Sequence, residues 1–359
     1  MNRRDFIQDA ALAASVAVLP KGVLAANGRE SIRAMMFRFG YNISCEWLPE
    51  AIMAKMKIKP EFAPDLKLRF EEASWRRLIA HMLERRLNTV VIDVAEGLRY
   101  PSHPELAVEG SWEPERLKAE VLRLRKLGIE AIPKLNFSAT HDGWMKDYHR
   151  MLTLPKWYEV AKDLIRDVYE VFDRPRFFHL GMDEEILHFG QFYSYFVVRE
   201  GELWWHDFLY LVKCVEDLGA RPWIWSDRTW KHLDEFLARC PKSVIQSNWY
   251  YDETNGDFSL DPEKNKVWMR LAPYEHLEKA GFDQIPCGTN WVSEGRKAAG
   301  VGADDVIGKL VRFCRPRIAP ERLLGFMMAP WARTSAEEEQ FNMKAIDLLA
   351  DALDEHDKA

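Results

Sequence analysis

Three consecutive acidic residues interrupt an apolar segment in the middle of the chain. The stretch FFHLGMDEE, residues 177–185, ends in Asp183, Glu184 and Glu185. Burying carboxylates is costly unless they are paired, hydrogen-bonded or used in a reaction. The acids could form the first turn of a helix, where the helix dipole favours negative charge. They could instead mark an active site at the C-terminal end of a strand.

Composition indicates an ordinary globular protein that does not bind nucleic acid. The chain has 359 residues, of which 47% are hydrophobic and 30% are charged, and its net charge is −6. A negative charge gives no support for binding nucleic acid or anionic membranes. The 14 tryptophans are many for this length, and aromatic rings stack on the apolar faces of sugars as well as filling large cores.

The sequence contains no pattern that would bind a metal or a cofactor. It has no glycine-rich dinucleotide motif, no phosphate-binding loop and no paired-histidine metal motif. The five cysteines are scattered, with no C-x-x-C pair, so neither a zinc site nor a disulfide framework is expected. They are Cys45, Cys214, Cys240, Cys287 and Cys314.

The first 26 residues are predicted to be a twin-arginine export signal. Arg3 and Arg4 precede an alanine-rich apolar run that is too short for a membrane span, and small residues at 23–27 could form a cleavage site. This predicts a periplasmic or secreted protein whose mature form has no membrane span. The alternative is an ordinary amphipathic N-terminal helix. If residues 1–26 are an export signal, residues 27–359 form a single catalytic domain.

From residue 35 onward, strand and helix patterns alternate in eight units, which predicts a (β/α)₈ barrel. A doubly wound open sheet is the alternative, but it would more typically show a glycine-rich first turn. The predicted strands are 35–44, 89–96, 129–137, 176–185, 221–227, 243–251, 282–291 and 323–332. The predicted helices are 75–88, 113–128, 156–172, 202–219, 232–240, 273–281, 304–318 and 337–353.

In a barrel of this kind the active site lies at the C-terminal ends of the strands. Four of the predicted strands place a tryptophan at that end, close to the carboxylates, which suggests an aromatic pocket for a sugar ring. The two histidines expected there, His141 and His179, are predicted to support the site rather than to ligate a metal. The candidate site residues are Asp93, His141, His179, Asp183, Glu184, Trp225, Asp227, Trp249, Tyr251, Trp291, Trp331 and Arg333.

The segment H-L-G-M-D-E, residues 179–184, resembles the H-x-G-G-D-E signature of glycoside hydrolase family 20, the β-N-acetylhexosaminidases. The segments at 90–107 and 133–141, and the tryptophans of strands 5, 6 and 8, are similar to other parts of that family's barrel. The resemblance extends over about 300 residues, but only the strand-4 motif is specific. It implies a (β/α)₈ barrel with the motif at the end of strand 4.

The resemblance also implies a reaction, which is retaining, substrate-assisted hydrolysis of a glycan. The substrate's 2-acetamido oxygen would attack the anomeric carbon. Glu184 would be the general acid and then the base, while Asp183 would hold the acetamido N–H. Trp225, Trp249 and Trp331 would wall the acetamido pocket.

Several family positions differ in this chain. The strand-1 arginine has no obvious match, because Tyr41 and Asn42 stand at the predicted end of that strand. Lys134 and Asn136 replace the strand-3 acids, and Asn290 or Trp291 replaces the strand-7 tyrosine. The strand-8 Trp-x-Glu ends in Arg333, which would suit a carboxylate or sulfate if it points inward. The alternative is a surface pair between Arg333 and Glu337.

Four hypotheses therefore remain open. The first is an exported hexosaminidase. The second is a glycosidase of another sugar specificity, including direct displacement with Asp227 or Asp93 as the partner carboxylate. The third is a carbohydrate-binding barrel without turnover, and the fourth is a metal-dependent hydrolase.

Overall fold

Eight parallel strands form the centre of the molecule in a computed structural model that describes residues 30–48, 50–56, 63–185, 195–251, 258–293 and 302–357. The predicted export signal lies outside the described residues. The strands are β1 (Ile32–Arg38), β2 (Thr89–Asp93), β3 (Glu130–Lys134), β4 (Phe177–His179), β5 (Arg221–Trp225), β6 (Ile245–Ser247), β7 (Cys287–Gly288) and β8 (Gly325–Met328).

The strands follow one another in parallel register and close on themselves. The sheet order is β6-β5-β4-β3-β2-β1-β8-β7. Single bridges from Gln246 to Gln284 and from Trp249 to Cys287 join β6 to β7 and complete the ring. The predicted (β/α)₈ barrel is therefore confirmed.

Each strand is followed by a helix on the outside of the barrel. These helices are α1 (Glu72–Glu84), α2 (Pro114–Lys126), α3 (Pro155–Val171), α4 (Gly201–Glu216), α5 (Leu233–Arg239), α6 (Ala272–Lys279), α7 (Val306–Cys314) and α8 (Glu339–Asp357), and a short extra helix spans Glu50–Met56. Among the described residues, no helix combines the length and apolar character that crossing a membrane requires.

Local sequence explains where helices such as α2 begin and end. Pro114 occupies its first turn, where a missing N–H costs nothing. Gly128 follows its last turn with φ +82°, a left-handed conformation that favours glycine. The predicted helix at 113–128 therefore matches the observed one closely.

The predicted strands were correct in number and order, but several extended too far. β1 ends at Arg38, whereas the sequence predicted a strand over 35–44. The first two residues of the loop after it, Phe39 and Gly40, still donate their N–H groups to Asp93 O of β2, but Tyr41 and Asn42 do not continue this ladder. Instead, the buried carboxylate of Glu96 accepts the main-chain N–H groups of Tyr41 at 2.6 Å and Asn42 at 3.1 Å. Side-chain bonding of this kind is not visible in a hydrophobic pattern.

Alternation along the strands divides the core into two parts. An outer cluster, which includes Met35 and Phe37 of β1, packs between the strands and the helices. An inner cluster, which includes Ala34 and Met36, fills the barrel itself. This alternation with a period of two places Arg38, the last residue of β1, on the inner side at the C-terminal mouth.

Polar residues occupy the barrel interior near the C-terminal ends of the strands. Lys134 Nζ donates a hydrogen bond to Asp93 Oδ2 at 2.6 Å, and both side chains are fully buried. Asp93 was predicted to bind substrate, but its buried carboxylate is paired with Lys134. The two are the last residues of β2 and β3.

The buried pair predicts a large stability difference between single and double variants. Asp93→Asn leaves the Lys134 charge buried without a counter-ion, which should lower the free energy of unfolding by about 3–5 kcal/mol in a urea titration. Asp93→Leu combined with Lys134→Met should recover most of that loss, since no charge stays buried. The exposed pair Lys67–Glu109 offers a control, and Glu109→Gln should cost less than about 0.5 kcal/mol. Equal losses in all three variants would contradict a role for the buried charge.

Candidate active site

The chain turns sharply where β4 ends, and this turn carries the acidic residues. Gly181, Met182 and Glu184 have φ angles of +73°, +73° and +57°. A side chain at Gly181 would clash with Asn136, because an added Cβ would lie 2.0 Å from Asn136 Oδ1. Left-handed residues other than glycine are strained by about 1–2 kcal/mol each, so surrounding contacts must hold this turn.

Asp183 is buried and fixed by β3-loop residues. Its Oδ1 accepts a hydrogen bond from Asn136 Nδ2 at 2.7 Å. Its main-chain oxygen accepts one from Ser138 Oγ at 2.5 Å. Asn136 stands where the family pattern has an acid, and its amide N–H fixes the orientation of the Asp183 carboxyl group.

Glu184 lies beside Asp183 but has a different environment. Its main-chain N–H donates to Asp227 Oδ2 at 2.9 Å. Burial raises the pKa of the Glu184 carboxyl to about 8, and the negative charges of Asp183 and Asp227 add to the shift. Its side chain keeps 29% of its surface exposed, so a ligand in the mouth can reach it. Glu184 can therefore donate a proton at neutral pH.

His141 lies between the two acids. Its Nδ1 is 3.8 Å from Asp183 Oδ1 and its Nε2 is 3.6 Å from Glu184 Oε2. Burial lowers the pKa of His141, although Asp183 opposes the shift. Both distances to the carboxylates are longer than a hydrogen bond, and the ring's Nδ1 lies instead within hydrogen-bond distance of Thr140 Oγ1, at 3.1 Å.

The third acid of the run has a structural role. Glu185 accepts hydrogen bonds from the main-chain N–H of Ala139 at 2.7 Å and from the buried guanidinium of Arg199. Arg199 also donates to Phe137 O at 2.8 Å and to Asp207 Oδ2 at 3.2 Å. Glu185 thereby fixes the β4 loop against the β3 loop, and the sequence alone did not separate it from its neighbours.

Asp227 supports the turn from β5. Burial and the neighbouring charge of Asp183 raise the pKa of Asp227 to about 7, while the N–H of Glu184 opposes the shift. Asp227 thus contacts the backbone of the acid pair, and its Oδ1 has no hydrogen-bond partner within the described residues.

Three of the four predicted tryptophans meet in one aromatic wall. Trp225 and Trp331 have ring centroids 5.8 Å apart, and Trp249 stacks on Tyr251 at 4.7 Å. All four belong to or pack against the inner cluster. Trp291 is separate from this wall and is 42% exposed.

His179 lies deeper, beneath the wall. Its ring is fully buried, 4.8 Å from that of Trp225, and its Nδ1 accepts the N–H of Gly181 at 3.0 Å. Burial and the nearby charge of Lys134 hold the pKa of His179 well below its usual value. The neutral ring therefore supports the turn, as the sequence suggested.

Arg38 is the inward-facing residue that the sequence interpretation missed. Its guanidinium carbon lies 5.5 Å from the centre of the Trp331 ring. The expected strand end at residue 44 had directed attention to Tyr41 and Asn42. Continuing the inner-face alternation from Ala34 and Met36 would have identified Arg38.

Two other residues named in the sequence analysis, Arg333 and Asn290, make contacts elsewhere. The Arg333 side chain is 40% exposed, with Nη2 3.9 Å from Asp65 Oδ2, and its own N–H bonds to Glu338. The predicted alternative partner Glu337 is therefore replaced by Asp65. Asn290 is buried and donates from Nδ2 to the main-chain oxygen of Phe341 at 3.1 Å.

The fold is a (β/α)₈ barrel with an acid pair at the end of β4 and tryptophans at the same mouth, where barrels of this kind carry their active sites. Solved structures with a similar fold include enzymes of glycoside hydrolase family 20. A family 20 catalytic module of the pneumococcal exo-β-D-N-acetylglucosaminidase superposes with a TM-score of 0.57 at 15% identity, over 90% of this chain and 83% of its own. The Streptomyces plicatus β-hexosaminidase, solved with its product GlcNAc, gives 0.57 at 11% identity, over 89% and 63%.

Larger enzymes of the same family also match. A Vibrio harveyi exo-β-N-acetylglucosaminidase of family 20 has a TM-score of 0.54 at 13% identity over 91% of this chain, which spans 57% of that enzyme's length. No family model matches the sequence, and no curated protein does. At these identities the comparisons establish the fold, which is the one that the strand-4 motif implied.

The raised pKa of Glu184 predicts a pH-dependent gain in stability on its removal. The folded state holds this proton up to about pH 8, whereas an unfolded carboxyl loses it near pH 4.5. Stability contributed by the protonated group therefore decreases as pH rises between these values. Glu184→Gln should raise the melting temperature by about 2–4 °C at pH 8 and have little effect at pH 4.5. An equal shift at both pH values would contradict the raised pKa, and the exposed Glu109→Gln variant serves as the control.

Proposed function

We propose that the protein is a glycoside hydrolase that cleaves N-acetyl-β-hexosaminides by a retaining, substrate-assisted mechanism. The observation that carries this proposal is the pairing of two adjacent acids with different environments. Asp183 is hydrogen-bonded by Asn136, while burial keeps Glu184 protonated near neutral pH. Acid–base chemistry requires two neighbouring acids whose different environments give them different roles.

In the first step, the carbonyl oxygen of the substrate's 2-acetamido group forms a bond to the anomeric carbon. The bond from that carbon to the leaving oxygen breaks, and Glu184 gives its proton to this oxygen. Asp183 accepts the acetamido N–H and stabilises the positive charge that develops on the resulting oxazolinium ring. Glu184, now ionised, then takes a proton from the water that opens the ring.

Neighbouring groups would orient the sugar. The wall formed by Trp225 and Trp331 would hold the acetamido methyl group, since aromatic faces accept apolar groups well. Arg38, the last residue of β1, would serve as the strand-1 arginine of the family pattern. Its guanidinium would bind the sugar's oxygens.

Direct displacement by a second carboxylate fits the geometry less well. Asp93 is fully buried in its pair with Lys134. Asp227 bonds to the N–H of Glu184, and its raised pKa makes it a weak nucleophile at neutral pH. The 2-acetamido group of the substrate is therefore the nucleophile we favour.

Hydrolysis of 4-nitrophenyl N-acetyl-β-glucosaminide and of its galacto epimer tests this proposal. Glu184→Gln and Asp183→Asn should each lower kcat by about 10²–10⁴-fold, because each removes a group used in the transition state. A thiazoline mimic of the oxazolinium ring should inhibit the wild type. The rate should decrease above about pH 8, where Glu184 loses its proton.

The control is Glu109→Gln, an exposed acid that should leave kcat unchanged. Release of 4-nitrophenol that continues in Glu184→Gln would remove Glu184 from the chemistry. Activity that resists the thiazoline mimic would point to direct displacement. Sugar binding without any turnover would indicate a carbohydrate-binding barrel instead.

We also propose that the chain is exported by the twin-arginine route to the periplasm or the medium. The paired Arg3 and Arg4 before the apolar run support this. Replacing both by lysine should retain the precursor in the cytoplasm, as cell fractionation and the mass of the N-terminal peptide would show. Unchanged export of the variant would contradict the proposal.

A further inference from the structure

Three N–H donors inside the barrel have no hydrogen-bond acceptor among the described residues. They are Arg38 Nε, His179 Nε2 and Trp225 Nε1, and each is buried. His179 Nδ1 accepts the N–H of Gly181, so the neutral ring carries its proton on Nε2. Buried donors without acceptors are costly, so a ligand that supplied acceptors to them would bind favourably.

The side chains that carry these donors form a continuous series of contacts, in which the Trp331 ring lies between Trp225 and Arg38. The rings of His179 and Trp225 lie 4.8 Å apart, and those of Trp225 and Trp331 lie 5.8 Å apart. The Arg38 guanidinium lies over Trp331 at 5.5 Å. The series therefore links the two buried rings to Arg38, whose side chain is only partly buried at the mouth.

The charge balance distinguishes Arg38 from the other cations of the interior. Lys134 is neutralised by Asp93, and Arg199 is neutralised by Glu185 and Asp207. No ion pair joins Arg38 to an acid of the described residues, although its Nε is buried. In the loop after β8, the position where the family pattern has a carboxylate holds Arg333, whose Nη2 lies 3.9 Å from Asp65 Oδ2.

We propose that Arg38 binds an anionic substituent on the sugar that occupies the mouth. This rests on the proposed function, which places an N-acetylhexosamine there. A guanidinium without a counter-ion binds an anion through charge-assisted, bidentate hydrogen bonds, which are stronger than those to a neutral hydroxyl. The substrate class is therefore an acidic N-acetylhexosaminide.

Two kinds of substituent carry this chemistry, and a binding experiment separates them. N-acetylglucosamine 6-sulfate and 3-sulfate present a sulfate ester, whereas N-acetylmuramic acid presents a carboxylate on a 3-O-lactyl ether. Neutral N-acetylglucosamine is the reference. These monosaccharides contain no glycosidic bond, so calorimetric titration of the wild-type protein measures their binding independently of turnover.

At least one acidic sugar should bind about tenfold or more tightly than N-acetylglucosamine at low salt, and added salt should weaken the preference. Arg38→Gln should abolish the preference, and Arg38→Lys should retain part of it, since the charge remains but the bidentate fork is lost. The exposed Arg69→Gln is the control and should leave the preference intact.

Equal binding of neutral and acidic sugars by the wild type would overturn the proposal. A preference that survives Arg38→Gln, or that is lost on Arg333→Gln instead, would overturn the assignment to Arg38. These binding results can be distinguished from a failure of the proposed hydrolase function. Hydrolysis of a neutral substrate without acidic preference would uphold the function alone, and tight binding of an acidic sugar without hydrolysis of its 4-nitrophenyl glycoside would uphold this inference alone.

Discussion

The hydrogen bond from the main-chain N–H of Glu184 to Asp227 is the contact on which the candidate site depends. It crosses from β4 to β5 and holds a glutamate in a left-handed conformation that its own side chain disfavours. The turn then presents Asp183 and Glu184 side by side at the mouth. The strain is sustained because Asn136, Ser138 and the buried Glu185 fix the same turn from the β3 side.

The same burial that supports this turn also sets its chemistry. Removing carboxyls from water raises their pKa values, and the neighbouring negative charges at the β4 and β5 ends increase the effect at Glu184 and Asp227. Asp183 accepts a hydrogen bond from the side-chain amide of Asn136. One short segment therefore contains an acid that keeps its proton and an acid held by a hydrogen bond, as a two-role site requires.

The interior of the barrel is apolar along most of the strands and polar near their C-terminal ends. The buried Lys134–Asp93 pair lies at the ends of β2 and β3, and among the described residues no ion pair joins Arg38 to an acid. The acid pair matches the family signature, whereas Lys134, Asn136 and Arg333 stand where the family pattern has acids.

Periodicity by itself determined the eight strand–helix units, because burial of one helix face and of alternate strand residues leaves a direct trace in the sequence. The local H-x-G-x-D-E spacing likewise identified the acid pair, since those residues are neighbours in the chain. The limits of the strands could not be predicted, because contacts such as Glu96 to the loop after β1 join residues far apart in sequence. Only the tertiary structure decided that Glu185 turns toward Arg199, that Trp291 stays outside the wall and that Arg38 faces inward, because these orientations depend on long-range packing.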